Sequence, residues 1–283
     1  MEKITMLGTG HAMVFACFNT CFVYENENGK MLVDTGGGGQ LLGQMQKAGI
    51  DDSEISAIFI SHRHTDHILG LPWLFRGLGR DRVLKLYLHE DVMAAATGMM
   101  RLLFPDTMDS LPEGVEFITV RDGDTAEILG RHVEFLDLHS PNVPQFGFKL
   151  TLEDGGQMVF HGDVPFHEAN RDRIAGVKWL LHEAFHLDGE TMGPPPGRKG
   201  GPGGPPHRGP GGPPPGGKGG PGHSTVKQAA QYAQSLGVER LLLFHGSDNN
   251  IQNRKAAYTA EAKTVFSGPV WVPDDLEVIE LTP

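Results

Sequence analysis

The chain has 283 residues, which allows one large domain or two of ordinary size and is long enough to bury a core without help from disulfides or metal ions. Its formal net charge of −11 disfavours a non-specific binder of polyanions, and its two cysteines, Cys17 and Cys21, are too few for a disulfide scaffold or a cysteine-built zinc site. No apolar run approaches the roughly 18 residues of a membrane helix and the first residues lack a signal-peptide pattern, so we expect a cytoplasmic protein with no membrane partner.

The first half of the chain begins with strands and continues with alternating helices and strands. Short runs rich in β-branched and aromatic residues predict strands at 4–7, 20–24, 30–33, 55–60 and 83–88. The spacing of apolar residues predicts helices at 40–48, 67–75 and 91–104. This alternation favours an α/β layered domain.

The second half repeats this alternation. Strands are predicted at 132–138, 146–152, 157–160, 178–181 and 239–244. Thr225 and Gln228 form a capping-box pattern that begins a helix extending through Leu236, and Gly237 ends it. A last helix is predicted at 254–266.

The segment 193–222 differs from the rest of the chain in composition. It contains 14 glycines and 11 prolines, and its charged residues are all basic. Such a sequence cannot bury a core, and it lacks the strict repeat of collagen. We therefore expect a single domain over 1–283, interrupted at 193–222 by an extended basic insert that acts as a lid, as an arm for the substrate or as a passive loop.

The segment 62–67, with the sequence HRHTDH, is the strongest chemical signal. Histidines two residues apart on an extended backbone point to the same side, and imidazole nitrogens and carboxylate oxygens are the ligands of catalytic zinc sites. His139, Asp163 and His245 each come shortly after a predicted strand. Because ligands gather at the carboxyl ends of strands in α/β folds, the pattern predicts a metal site at one edge of the fold.

Seven short segments carry a family resemblance. They are Leu7-Gly8-Thr9-Gly10, Asp34-Thr35-Gly36, the segment 62–67, Gly162-Asp163, His182-Glu183-Ala184-Phe185, His223-Ser224-Thr225 and His245. In this order they resemble the metallo-β-lactamase fold superfamily and, within it, the ribonuclease Z-like branch, over nearly the whole chain except 193–222. The resemblance implies an α/β fold of the αβ/βα four-layer sandwich type, with two sheets face to face, helices outside them and metals at one edge.

The resemblance also implies a cofactor of two Zn²⁺ ions, with Mn²⁺ or Fe²⁺ as alternatives. The implied ligands are His62, His64 and His139 for one ion and Asp66, His67 and His245 for the other, with Asp163 bridging. Metal-bound hydroxide would attack phosphorus, and Asp66 would orient this nucleophile or accept its proton. His223, held by Glu183, would protonate the leaving oxygen.

The implied activity is hydrolysis of a phosphodiester, either a small molecule or an RNA 3′ end, by an enzyme that is a homodimer. The tRNA-processing members of the branch have a long arm where this chain has only residues 140–162, which favours a substrate smaller than folded tRNA. Three alternatives stay open: a tRNA 3′-processing endonuclease that uses the insert as its arm, an arylsulfatase-like hydrolase of sulfate esters, and a metal-bound scaffold that displays the proline-rich segment.

The remaining polar residues receive structural roles. We expect Asp34 to orient a metal-binding histidine, since carboxylates beside zinc-bound histidines commonly do so. His182 is expected to fix local structure. His11 has no spacing that singles it out, and we expect it to be structural.

Overall fold

The computed structural model describes residues 1–77, 83–105, 114–190 and 222–282, and these residues form two seven-stranded sheets. The predicted insert at 193–222 lies outside the described residues except for Gly222. Among the described helices, none is long and apolar enough to cross a lipid bilayer.

The first sheet is built from the N-terminal half of the chain and one C-terminal strand. Its strands are β1 (Lys3–Gly8), β2 (Cys21–Asn26), β3 (Gly29–Val33), β4 (Ile55–Ile60), β5 (Leu84–Leu88), β6 (Val115–Thr119) and β14 (Val278–Glu280). Their order is β14-β1-β2-β3-β4-β5-β6, with parallel pairing from β3 to β6 and antiparallel pairing elsewhere. The accompanying helices are α1 (Gln40–Lys47), α2 (Thr65–Ile68), α3 (Leu71–Gly77) and α4 (Glu90–Leu103).

The second sheet also has seven strands, with both parallel and antiparallel pairing. Its strands are β7 (Thr125–Ile128), β8 (Arg131–Asp137), β9 (Phe146–Thr151), β10 (Gln157–Phe160), β11 (Trp179–Glu183), β12 (Arg240–Phe244) and β13 (Val270–Trp271). The order is β13-β12-β11-β10-β9-β8-β7, parallel from β10 to β13 and antiparallel from β7 to β10. The helices of this half are α5 (Arg171–Ile174), α6 (Val226–Ser235) and α7 (Ile251–Ala262).

Aromatic side chains join the two sheets face to face. The ring of Phe59 in the first sheet lies 5.8 Å from that of Phe135 and 5.2 Å from that of Phe148 in the second, between ring centroids. Apolar residues of α1, α3 and α4 pack on the outer face of the first sheet, and those of α6 and α7 on the outer face of the second. The four layers confirm the predicted αβ/βα sandwich.

Glu2 is a fully buried charge that also links the sheets. It accepts hydrogen bonds from the Tyr24 hydroxyl in β2 at 2.6 Å, from Arg131 Nε in β8 at 2.8 Å and from the Glu153 amide at 2.8 Å. A buried carboxylate is tolerated because these partners satisfy it, so its contacts contribute to the docking of one sheet on the other.

The helix predicted at 67–75 is wrong in one respect, because the structure has two helices there, α2 and α3. A Cβ atom on Gly70 would collide with the carbonyl oxygen of Thr35, and this close approach separates the two helices. Pro72 lies in the first turn of α3, where its missing amide hydrogen costs no helical hydrogen bond. Five short elements escaped prediction: β6, β7, β13, β14 and α5. Short strands depend on pairing with their neighbours more than on their own sequence.

Candidate metal centre

The site lies where strands of both sheets end at one edge. His62 follows β4 of the first sheet, whereas Asp163 and His245 follow β10 and β12 of the second. Asp34 and His245, directly after β3 and β12, have positive φ angles of 56° and 58°. Non-glycine residues avoid this left-handed conformation, which costs about 1–2 kcal/mol per residue, and such strain is concentrated at functional sites.

The structure brings together six of the seven predicted metal ligands. In each of three groups of residues, the candidate ligand atoms all lie within 4.8 Å of one another. The groups are His62, His64 and Asp163; Asp66, His67 and His245; and Asp163, His223 and His245. His64 is exposed, whereas the other five predicted ligands in these groups are buried, so the cluster is open to solvent on the His64 side.

Asp163 lies between the two halves of the cluster. Its Oδ2 atom is 3.4 Å from both His67 Nε2 and His245 Nε2, and its Oδ1 atom is 3.6 Å from His62 Nε2. Asp66 Oδ2 lies 3.3 Å from His67 Nε2 and 3.4 Å from His245 Nε2. One carboxylate therefore faces the nitrogens of both groups.

Buried atoms of this cluster lack hydrogen-bond partners among the described residues. His67 Nε2 and Asp163 Oδ1 are both in this state. Buried polar atoms are nearly always paired in proteins, so unpaired ligand-type atoms that face one another need an explanation. Nitrogen and carboxylate donors at these separations fit a divalent metal ion such as zinc.

Electrostatics keeps the two carboxylates of the cluster ionised. Burial raises the pKa of Asp66 and Asp163, but the neighbouring imidazoles outweigh burial and hold both pKa values below the usual range. Burial also lowers the pKa of His62 well below its ordinary value, which favours the neutral imidazole. Burial would also lower the pKa of His67, but the charges of Asp66, Asp34 and Asp163 outweigh it and raise that pKa well above its ordinary value. Ionised carboxylates and neutral imidazoles are the forms that bind metal, so metal binding would release a proton from His67.

His67 is positioned from behind by Asp34. Its Nδ1 atom donates to Asp34 Oδ2 at 2.8 Å, and Asp34 Oδ1 accepts from the Ser61 amide at 2.8 Å. The ring is thereby held with Nε2 towards Asp163, as expected for a carboxylate that orients a metal-binding histidine. Nothing in the sequence singled out Ser61.

Glu183 holds the His223 ring at the side of the cluster. His223 Nδ1 donates to Glu183 Oε2 at 2.6 Å, and Glu183 is fully buried. Burial alone would lower the pKa of His223, but the hydrogen bond and charge of Glu183 outweigh it and raise the pKa to about 9. The imidazole is therefore protonated at neutral pH.

Phe185 stacks between two histidines. Its ring centroid lies 4.2 Å from that of His11 and 4.6 Å from that of His223. Burial, together with the nearby His245, lowers the pKa of His11 to about 4. The sequence predicts only a structural role for His11, and its position three residues after β1 is the only sequence signal that it lies beside the site.

His139 belongs to none of the three groups. Its amide donates to Asp137 Oδ1 at 2.8 Å, and its ring centroid lies 4.6 Å from that of His167. It has a positive φ of 56°, like Asp34 and His245. Its assignment as a ligand of the first ion stays a prediction.

His182 is fully buried and belongs to none of the three groups that could bind metal. Its Nδ1 atom donates to the Glu183 carbonyl at 2.8 Å, and its ring stacks on His161 at 4.7 Å. These contacts agree with the structural role expected for it.

Comparison with known proteins identifies the family. Residues 30–246 match the family model described as "Beta-lactamase superfamily domain". A ribonuclease Z of Mycobacterium sp. (strain KMS) is 25% identical over 315 residues, which span 100% of this chain and 97% of the relative.

Solved structures show the same fold. The metallo-β-lactamase fold protein YhfI from Bacillus subtilis has a TM-score of 0.74 at 18% identity, covering 98% of each chain. A diphosphatase from the PhnP family has a TM-score of 0.69 at 16% identity, covering 99% of this chain and 98% of its own. The full-length similarity to a ribonuclease Z points to the ribonuclease Z-like branch. Because the family model matches most of the chain, the chain belongs to the β-lactamase superfamily and is a metal-dependent hydrolase.

Proposed function

We propose that the chain is a dinuclear zinc phosphodiesterase. The observation that carries this proposal is the position of Asp163, whose carboxylate faces His62 on one side and His67 and His245 on the other. One ion would be held by His62, His64 and Asp163, and the other by Asp66, His67, His245 and the same Asp163. His139 stays the predicted further ligand of the first ion.

When bound, the two ions would lower the pKa of water and neutralise charge on the phosphoryl oxygens. The chain itself supplies the proton chemistry. His223 Nδ1 is engaged by Glu183, so Nε2 is the atom that would donate a proton to the leaving oxygen. Asp66 remains ionised and would orient the nucleophile or accept its proton.

A phosphodiester smaller than folded tRNA is the favoured substrate. Residues 140–162 contain β9, β10 and their connecting turn, which supports the absence of a long arm at this place in the chain. Cleavage of a precursor tRNA is the second candidate, supported by the ribonuclease Z relative that aligns over the whole chain. We further propose that the protein is a cytoplasmic homodimer. Each chain would be a single domain that is interrupted at 193–222.

The experiment compares three substrates with zinc-loaded protein: bis(p-nitrophenyl) phosphate, p-nitrophenyl sulfate and a precursor tRNA with a 3′ trailer. We expect turnover of the diester that is lost with EDTA, restored by zinc and lost in a His64→Ala variant. His132→Ala is the matched control, since His132 is exposed on β8. Accurate cleavage after the discriminator base would instead assign tRNA processing. Faster turnover of the sulfate would assign a sulfatase, and a diester rate unaffected by His64→Ala would contradict the metal centre.

A further inference from the structure

A cleft with a volume of ≈ 520 Å³ lies beside the metal centre. One wall is the loop Gly37–Gly39 after β3, and the lining also includes Trp73 and Arg76 of α3 and Phe104 after α4. Its volume is within the range of roughly 300–1,000 Å³ that is typical for sites of small molecules. Nothing in the chemistry proposed above uses this cleft.

The cleft is tied to the segment that carries two of the proposed metal ligands. Thr35, which precedes the loop, donates both its amide and its hydroxyl to the carbonyl oxygen of His67, each at 2.8 Å. A Cβ atom on Gly37 would collide with Asn19 Oδ1 and would lie 4.0 Å from the Cα atom of Asp66. The loop that forms one wall of the cleft is therefore packed against the segment of Asp66 and His67.

Trp73 offers a surface for a flat ring. On the glycine wall no side chain projects into the cleft, and a Cβ atom on Gly39 would lie only 2.9 Å from Trp73 Cε2. Glycine is thus required for this close approach of loop and indole. Trp73 nevertheless remains 49% exposed, so its ring is available to a ligand. Exposed tryptophan beside bare backbone offers a stacking surface for an aromatic group.

The cleft also carries a positive charge. Among the described residues that line it, Arg76 alone is charged, and its guanidinium carbon lies 5.5 Å from the centroid of the Phe104 ring. A guanidinium group recognises phosphate oxygens and stacks on aromatic rings. In a chain with a net charge of −11, a cationic cleft beside the metal centre is suited to an anion that also has an aromatic part.

We propose that this cleft binds the nucleobase of a nucleotide phosphodiester, with Trp73 stacked on the base and Arg76 attracting the adjoining phosphate. The inference rests on the proposed function, because the diester bound here is the one cleaved at the metal centre. Trp73 and Arg76 then determine specificity: they select diesters with a planar base over diesters with a small alkyl group.

Binding is tested first, without any requirement for activity. Adenosine 5′-monophosphate is titrated into the full-length protein while tryptophan fluorescence is followed, with ribose 5-phosphate as the ligand that lacks a base. We expect saturable quenching by the nucleotide, no quenching by ribose 5-phosphate, and loss of the signal in Trp73→Phe. Trp271→Phe is the matched control, since Trp271 lies in β13 against Trp179, and it should keep the signal. Quenching that is absent in the wild type, or unchanged in Trp73→Phe, would overturn the proposal.

Kinetics then tests specificity with two esters that share a leaving group, thymidine 5′-(p-nitrophenyl phosphate) and methyl p-nitrophenyl phosphate. In Trp73→Ala we expect kcat/KM for the thymidine ester to fall by about 5- to 150-fold, mainly through KM, which is the range for loss of one base–aromatic stack. The methyl ester should be unaffected, and Val278→Ala, an exposed apolar residue on β14, should change neither.

Equal losses on both esters would indicate a merely structural role for Trp73 and overturn the inference. If the wild type hydrolyses neither ester, the proposed function fails, and the nucleotide titration alone then decides whether the cleft binds a base.

Discussion

His223 Nδ1 donates to Glu183 Oε2 at 2.6 Å, while the other oxygen of the same carboxylate accepts from the Ser224 amide at 2.7 Å. A single buried carboxylate therefore fixes both the ring and the start of the segment that leads into α6. No hydrogen bond from a described residue engages the opposite ring nitrogen, Nε2. Two predictions about pH follow from this pair.

Glu183→Gln should destabilise the metal-free protein in a pH-dependent way. The pKa of His223 is raised from 6.5 to about 9 in the folded state. The interaction of protonated His223 with Glu183 therefore stabilises the fold fully below pH 6.5, and this stabilisation is lost as the pH rises through about 9. We expect the stability difference between wild type and variant to shrink over that window, measured by urea unfolding at pH 6, 7.5 and 9.5. Glu127→Gln, next to the exposed His132, is the control. A difference that is constant with pH would contradict the assignment.

The activity of the zinc-loaded enzyme should depend on the same proton. If His223 donates it, kcat falls at high pH as the imidazole deprotonates, and removing the charge of Glu183 lowers the His223 pKa. We therefore expect the alkaline limb of the kcat profile to move to lower pH in Glu183→Gln. His223→Asn should lower kcat by about 10²- to 10⁴-fold and remove that limb. A profile of unchanged shape in both variants would exclude His223 as the acid.

Asp34→Asn should weaken metal binding although Asp34 is not a proposed ligand. Its carboxylate orients His67 through the 2.8 Å hydrogen bond to Nδ1, and loss of such a partner typically costs 10- to 100-fold in metal affinity. Zinc competition against a chromophoric chelator measures this directly. Asp172→Asn, an exposed residue of α5, should bind zinc like the wild type. Equal zinc affinities for Asp34→Asn and wild type would show that His67 does not depend on this contact.

Glu2→Gln should destabilise the fold without changing the chemistry of the site. The substitution removes a fully buried charge that faces Arg131 and Tyr24, and breaking a buried ion pair costs about 3–5 kcal/mol. We expect a lower urea midpoint and an unchanged kcat for the protein that remains folded. Glu27→Gln alters an exposed partner of the same Arg131 and should have little effect on stability. A midpoint equal to that of the wild type would mean that the hydrogen bonds, rather than the charge, satisfy Arg131.

The sequence predicted most of the architecture because the relevant signals are local. The short apolar strands, the capping box of Thr225 and Gln228, and the histidine motif at 62–67 each depend on neighbouring residues. The capping box is present in the structure with both of its hydrogen bonds. The gathering of His62, Asp163 and His245 could also be inferred, since the carboxyl ends of parallel strands meet at one edge.

Features that depend on contacts distant in the chain could not be predicted. The break between α2 and α3 follows from the approach of Gly70 to Thr35, and the stack of His11 on Phe185 joins residues that are far apart in the chain. The contact of His139 with His167 likewise arises from tertiary packing. The spacing of residues along the sequence does not predict such contacts, because they form only when the sheets and their loops pack together.

The left-handed backbone at Asp34, His139 and His245 has a consequence for how this protein can evolve. Glycine relieves the strain of that conformation, so a library of variants selected only for resistance to heat should accumulate glycine at the exposed His139, and less readily at Asp34 and His245, whose side chains are buried. Selection for hydrolysis should restore aspartate and histidine. The sequence frequencies recovered under the two selections would then separate the residues retained for chemistry from those retained for folding, with no structure needed for either population.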